Sequence, residues 1–218
     1  SKEDLKKETI DETQTVTSAV QTGSVNAVRW SPDGKYIAAG LDNNNFALQL
    51  FAFDYVTRQI SRITQTIERT GFQQIKTVAW SPEGQYLAVG GELLGDEQLI
   101  IYRFNRRNQT LEQIDSAVGP LAATVNTLAW SPNGRFIVSG GINQTNGQLK
   151  LFTFDPIAEQ ITQVDDTLSG DTINKVSWSP DGTYIAVVGG LTPENLQIYR
   201  IDITTNSLLF VDQDQASA

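Results

Sequence analysis

One five-residue pattern recurs four times, and it limits the fold more than any other feature. Trp-Ser-Pro-x-Gly begins at Trp30, Trp80, Trp130 and Trp178, with Asp33, Glu83, Asn133 or Asp181 at x. The first three tryptophans lie 50 residues apart and the last interval is 48. A period of this size, with matched flanks, marks an array of supersecondary units that bury their apolar faces only against one another.

Each unit reads as four short strands. The inner strand precedes the motif, at 25–30, 75–80, 125–130 and 173–178. The Ser-Pro-x-Gly turn follows, with Pro presetting φ and Gly accepting the left-handed position. The second strand covers 36–40, 86–90, 136–140 or 184–189, and the extra residue in the last copy predicts a bulge near Val187 and Val188. A polar loop leads to the third strand at 48–53, 99–104, 149–154 or 196–201, which ends on Asp54, Asn105, Asp155 or Asp202. A short fourth strand is expected at 60–63, 111–114, 161–164 and 208–211. The apolar residues alternate with period two, and no helical period runs through any unit. Such sheets hide both faces by stacking radially, so the expected fold class is all-β: a β-propeller of four-stranded antiparallel blades, four per chain.

Val-x-x-Val-x-Trp-Ser-Pro-Asp-Gly-x-Tyr-Ile-Ala-x-Gly, followed by Leu-x-Leu-Phe-x-Phe-Asp, resembles the WD-repeat family over about residues 25–211. The resemblance implies blades packed around a central channel. It departs from the family pattern in three ways. The Gly-His pair is missing, since the chain has no His. Phe51, Tyr102, Phe152 and Tyr199 stand where the family's Trp-Asp pair has its Trp. The tight turn between second and third strands is replaced by longer loops. A divergent, prokaryotic-type repeat fits these departures.

Residues 1–12 read as a charged tail or a short helix, and 212–218 as a second tail. The blades occupy 13–211, with 13–20 an additional outer strand. Four inner triplets with five candidate outer strands leave one terminal strand surplus. A half-ring exposes two apolar blade faces, so the favoured expectation is two chains completing an eight-bladed ring. A closed four-bladed ring and an open piece of a longer array are the alternatives. The absence of Met is expected of a processed product or of a piece of something longer.

With no Cys and no His among 218 residues, thiol nucleophiles, Ser-His-Asp triads and thiolate or imidazole metal sites are ruled out. A formal charge of −9 opposes phosphate backbones and anionic lipid, so neither nucleic acid nor membrane is an expected partner. No first strand carries Asp or Glu, and no Asp-x-Asp-x-Asp spacing suits calcium. Neither a cofactor nor an enzymatic role is expected.

Trp30, Trp80, Trp130 and Trp178 repeat at one structural position and are assigned to the blade core, with Phe51, Tyr102, Phe152 and Tyr199. Asn26, Asn126 and Asn174 share a position near the channel, with Lys76 the exception, and suit satisfaction of backbone groups. The loops between second and third strands vary most and form one rim. Its candidate binding residues are Asp42, Asn43, Asn44, Glu92, Asp96, Asn143, Gln144, Asn146, Thr192 and Glu194. Asn108 and Asn143 head glycosylation sequons, a frequent chance pattern.

The main expectation is a non-enzymatic interaction or assembly scaffold whose partners are a second copy, giving a homodimer, and another protein. The alternative is a small-ligand or carbohydrate-binding propeller using the Asn/Gln-rich rim, with Phe46 as the exposed aromatic. The composition fits a soluble protein; the lack of Cys gives no clue to redox compartment, and a cytoplasmic location is the favoured expectation.

Overall fold

A computed structural model describes residues 24–42, 48–63, 72–93, 97–118, 123–143, 146–169, 172–189 and 196–214. Sixteen strands fill these segments, and no helix forms among the described residues. The first blade is β1 (Val25–Trp30), β2 (Tyr36–Leu41), β3 (Leu48–Asp54) and β4 (Gln59–Arg62). The second is β5 (Phe72–Trp80), β6 (Tyr86–Leu93), β7 (Glu97–Asn105) and β8 (Thr110–Val118). The third is β9 (Ala123–Trp130), β10 (Phe136–Asn143), β11 (Asn146–Asp155) and β12 (Gln160–Ser169). The fourth is β13 (Ile173–Trp178), β14 (Tyr184–Gly189), β15 (Leu196–Asp202) and β16 (Ser207–Gln213). Each blade is an antiparallel meander in chain order.

The turns that set this order are made by the motif itself. In Ser31-Pro32-Asp33-Gly34 the Gly34 N–H donates to the Ser31 carbonyl at 2.8 Å, and Gly34 has φ of 70°. The Ser31 hydroxyl donates to Asp33 Oδ1 at 2.6 Å while accepting the Tyr36 N–H at 3.0 Å. Gly84, Gly134 and Gly182 repeat the left-handed conformation. At the same end of each blade the third strands stop on Asp54, Asn105 and Asp155, which each accept two main-chain N–H groups of the following turn, and on Asp202, which accepts that of Thr204.

The inner strands pack in series, β1 on β5, β5 on β9 and β9 on β13. Three apolar clusters fill the three joints. Ile75, Leu87 and Ile100 lie in the first, Ile101, Ile137 and Phe152 in the second, Leu149, Ile173 and Ile185 in the third. The middle strands are covered on both faces, which explains why β6 reads as a near-continuous apolar run. Each fully buried Ile or Leu contributes about 1.5–3 kcal/mol.

The four blades form an open arc. The outward face of the first blade leaves Val25 62 % and Val28 53 % exposed, and that of the fourth leaves Phe210 54 % exposed. The bulge expected at Val187 and Val188 is on the facing strand instead. β14 pairs with β15 without a shift, and the irregularity lies between Ile173 and Lys175, as it does between Val25 and Ala27 in the first blade. The outer strands of the last three blades also run longer than expected. A bulge opposite Ile101 and Tyr102, or Leu151 and Phe152, lets them continue past Asp115 and Asp165. Residues 1–12 and 13–20 lie outside the described residues.

Candidate functional site

The inner strands end on the four tryptophans, and those ends converge on one concavity. Trp30, Trp80, Trp130 and Trp178 line a pocket of about 420 Å³, together with Pro32, Pro132 and Pro180 from the turns. The size falls in the range of small-ligand sites, about 300–1,000 Å³. Among the described residues Arg29 is the only charged side chain in its lining, and its guanidinium donates to the Val28 carbonyl at 2.9 Å.

Three of the indoles are locked by the joints. Trp80, Trp130 and Trp178 donate their ring N–H to the carbonyls of Arg29, Ala79 and Ala129 on the preceding blade, at 3.3, 3.0 and 3.1 Å. Trp30, Trp80 and Trp130 each meet an aromatic of the third strand edge-on, Phe53, Phe104 or Phe154. In the fourth blade Ile201 takes that place, and Trp178 stacks on Phe136 instead. The core assignment does not hold for Trp30, which is 51 % exposed because no other described blade packs against its outward side. Phe51 is half-buried, whereas Tyr102, Phe152 and Tyr199 are buried.

The asparagines beside the channel serve the joints. Asn26 and Asn126 donate side-chain N–H groups to the carbonyls of Ile75 and Ile173 at 3.3 and 3.0 Å. Asn174 is exposed, with no described blade packed against its side.

The rim residues divide. Asn43, Asn44, Asp96, Gln144, Thr192 and Glu194, and also Phe46, lie outside the described residues. Asp42 is exposed and bridges to Gln74 of the second blade. Glu92 accepts the Gln74 side-chain amide at 2.9 Å. Asn143 and Asn146 are the paired ends of β10 and β11. The same rim carries a set that loop variability did not point to. Gln148 donates to Asp166 at 2.9 Å, and Lys150 is only 7 % exposed. Burial pushes the Lys150 ammonium below its usual range, and Asp166 partly opposes this. A lysine inside an apolar strand run was the available signal. Beside it Thr124, Ser139 and Gln148 line a crevice of about 10 Å³, the room of a single water.

At the other end of the blades a groove of about 530 Å³ runs beside Arg103, Arg106 and Arg107. Arg103 is committed to Glu159 at 2.8 Å and to Glu112 at 2.6 Å, hydrogen bonds that hold its guanidinium more firmly charged. Arg106 donates to the Glu83 carbonyl and lies 3.4 Å from Asp33. Among the described residues no group of three Asp, Glu, His or Cys is placed to hold a metal. No helix there is long and apolar enough to cross a membrane.

The family model described as eukaryotic translation initiation factor eIF2A matches residues 55–171, more than half of the chain. That of the WD domain, G-beta repeat, matches residues 12–46 and 162–191. No curated protein matches. Among solved structures, a protein of Bacteroides uniformis ATCC 8492 described as a 6-phosphogluconolactonase superimposes with a TM-score of 0.72 at 16 % identity, covering 89 % of this chain and 54 % of that one. The periplasmic gluconolactonase PpgL of Pseudomonas aeruginosa gives 0.71 at 19 %, covering 88 % and 54 %. Sqt1 from Chaetomium thermophilum gives 0.62 at 21 %, covering 82 % and 44 %. The chain thus spans about half the length of these propellers. The likenesses correct the expectation that the chain is no enzyme. Two of these proteins are described as lactonases, so the same blade architecture carries catalysis. Lack of Cys and His removes thiol and imidazole chemistry but leaves carboxylates, Lys and Arg.

Proposed function

The chain belongs to the eIF2A family of WD-repeat β-propellers, and from that premise we propose that its axial pocket binds a small sugar acid or sugar lactone. The observation that carries this reading is the pocket itself, a concavity to which all four blades contribute an indole. Ring edges and faces of Trp offer apolar area suited to the C–H face of a sugar ring. Arg29 supplies a cation for a carboxylate or a polarised lactone carbonyl. The fold shared with propellers described as lactonases supports the ligand class.

Calorimetric and tryptophan-fluorescence titrations with gluconate, 6-phosphogluconate and glucono-δ-lactone test it. One of these should bind, and Arg29→Gln should weaken it roughly tenfold, the scale of one charge-assisted hydrogen bond. A pH-stat run on the lactone in the same samples reads ring opening directly. No heat and no fluorescence change with any of the three ligands would remove the reading.

A second reading, a platform for protein partners, is favoured by the family match over residues 55–171. Cosedimentation with ribosomal particles separates the two, because sugar ligands leave it unchanged if the platform is the rim.

A further inference from the structure

Of the contacts that recur at fixed repeat positions in the internal joints, four have matching halves at the two ends. Looking backward, Trp80, Trp130 and Trp178 each give an indole N–H to a carbonyl of the preceding blade. Looking forward, Asn26 and Asn126 each give an amide N–H to a carbonyl of the following one. Tyr36 and Tyr86 meet Phe104 and Phe154 of the following blade edge-on, with centroids 4.7 and 4.6 Å apart. On the outside, the carboxylates of Asp115 and Asp165 accept the N–H of Ile161 and Leu208, both at 2.7 Å.

The two ends of the arc carry opposite halves of all four. The first blade presents the Trp30 indole N–H, the Val25 carbonyl, the Phe53 ring and the Ile60 N–H. The fourth presents, at the matching positions, the Ser177 carbonyl, the Asn174 amide, the Tyr184 ring, 42 % exposed, and the Asp212 carboxylate. Asp212 is preset for its part. Its Oδ1 accepts the N–H of Gln213 at 2.9 Å, as Asp115 and Asp165 accept those of Ser116 and Asp166, leaving Oδ2 for a cross-blade donor. The apolar surface follows the same rule. Val28 is 53 % exposed where Val78 and Leu128 are 1 % and 5 % exposed.

We propose that the end faces are two halves of one joint, and that each takes the opposite face of a second copy of this chain. Each donor of these four contacts has its acceptor at the other end, so two copies form two identical joints related by a two-fold axis along the channel. The chain covers 54 % of each lactonase-like propeller, so two arcs supply about one ring. The second copy would also wall the open side of the axial pocket. The inference goes beyond the ligand reading and is read out by mass rather than by binding of a sugar. Two positions differ from the internal joints. Lys175 stands where the Thr77 and Thr127 hydroxyls accept the N–H of Leu128 and Val176 on the next blade, so it offers no acceptor to the Val28 N–H. Val188 stands where Gly40, Gly90 and Gly140 admit Ile75, Val125 and Ile173 of the next blade. It would meet Val25 there, so the closing joint sits wider than the internal ones.

Sedimentation velocity and light scattering on the 218-residue chain test the proposal, and a dimer in concentration-dependent equilibrium is expected. Val28→Asp damages only the first face and Val188→Asp only the last, and burying an unpaired charge in either should weaken association roughly 100-fold. Each variant alone should be monomeric, with the circular dichroism of the parent chain. Mixed one to one, they retain one sound joint and should form a heterodimer. The milder Trp30→Phe and Asn174→Ala remove single donors and should each loosen the dimer several-fold. A monomer at every concentration, a dimer indifferent to Val28→Asp, open-ended higher oligomers, or a mixture that fails to pair would each overturn it.

Discussion

A buried indole nitrogen has one proton to place, and in this chain that proton ties neighbouring sheets together. Trp130 shows the effect in full: it is 8 % exposed, and its N–H reaches the Ala79 carbonyl at 3.0 Å. Replacing it by Phe keeps most of the ring but removes that cross-blade donor, at a cost of about 0.5–1.5 kcal/mol in urea unfolding. Trp30→Phe under dilute conditions should cost under about 0.5 kcal/mol, because its ring is half in water already. Equal losses at the two positions would show that ring packing rather than the hydrogen bond matters. The motif aspartates give a pH test. Asp181 is held below the usual carboxylate range by the Ser179 hydroxyl and the Thr183 N–H. Asp33 is also held low: burial alone would raise it, but the Ser31 hydroxyl, the Lys35 N–H and Arg106 together outweigh that. A depressed carboxyl stabilises the fold above its unfolded pKa, about 3.9, and that stability is lost as pH falls through the lower folded value. Unfolding midpoints should therefore be flat above about pH 4 and decline below it, less steeply in Asp181→Asn than in the parent.

At the scale of strands, the close approach of one strand to the next rests on residues without a side chain. A Cβ on Gly141 would lie 1.8 Å from the Thr124 carbonyl oxygen, and one on Gly91 would lie 2.1 Å from that of Gln74. Both obstacles are backbone within the same blade, so Gly141→Ala should cost about 3 kcal/mol by thermal or urea unfolding. Gly140→Ala meets the flexible end of Ile173 on the neighbouring blade and should cost less. The inner, second and third strands were legible because the Trp-Ser-Pro-x-Gly turn, the alternation and the Asp or Asn stop all act locally. The bulges were not. A bulge is fixed by what the partner strand does, and Asp115 and Asp165 look like ordinary solvated acids until their oxygens are seen capping the next blade. The buried Lys150 was missed for the same reason: its surroundings come from β10 and β12, not from its own neighbours in sequence.

For the whole molecule, three joints hold four blades, and the two kinds of blade differ in support. The second and third are covered on both faces, while the first and fourth each have one face in water. In a quasi-one-dimensional array stability is a sum of unit and joint contributions, so the ends should open first. The pocket was illegible at the outset for a related reason. Each tryptophan looks like core within its own unit, and only the convergence of four inner strands makes a shared wall. Hydrogen exchange measures the hierarchy directly. In dilute solution, amides of β6, β7, β10 and β11 should exchange slowest, those of β1 and β16 fastest. If the end faces take a second copy, raising the concentration should slow exchange in β1, β13 and β16 and leave β6 and β10 unchanged, because only the ends gain a neighbour. Uniform slowing across all four blades would instead mean that the arc unfolds as one unit, with no separate contribution from its ends.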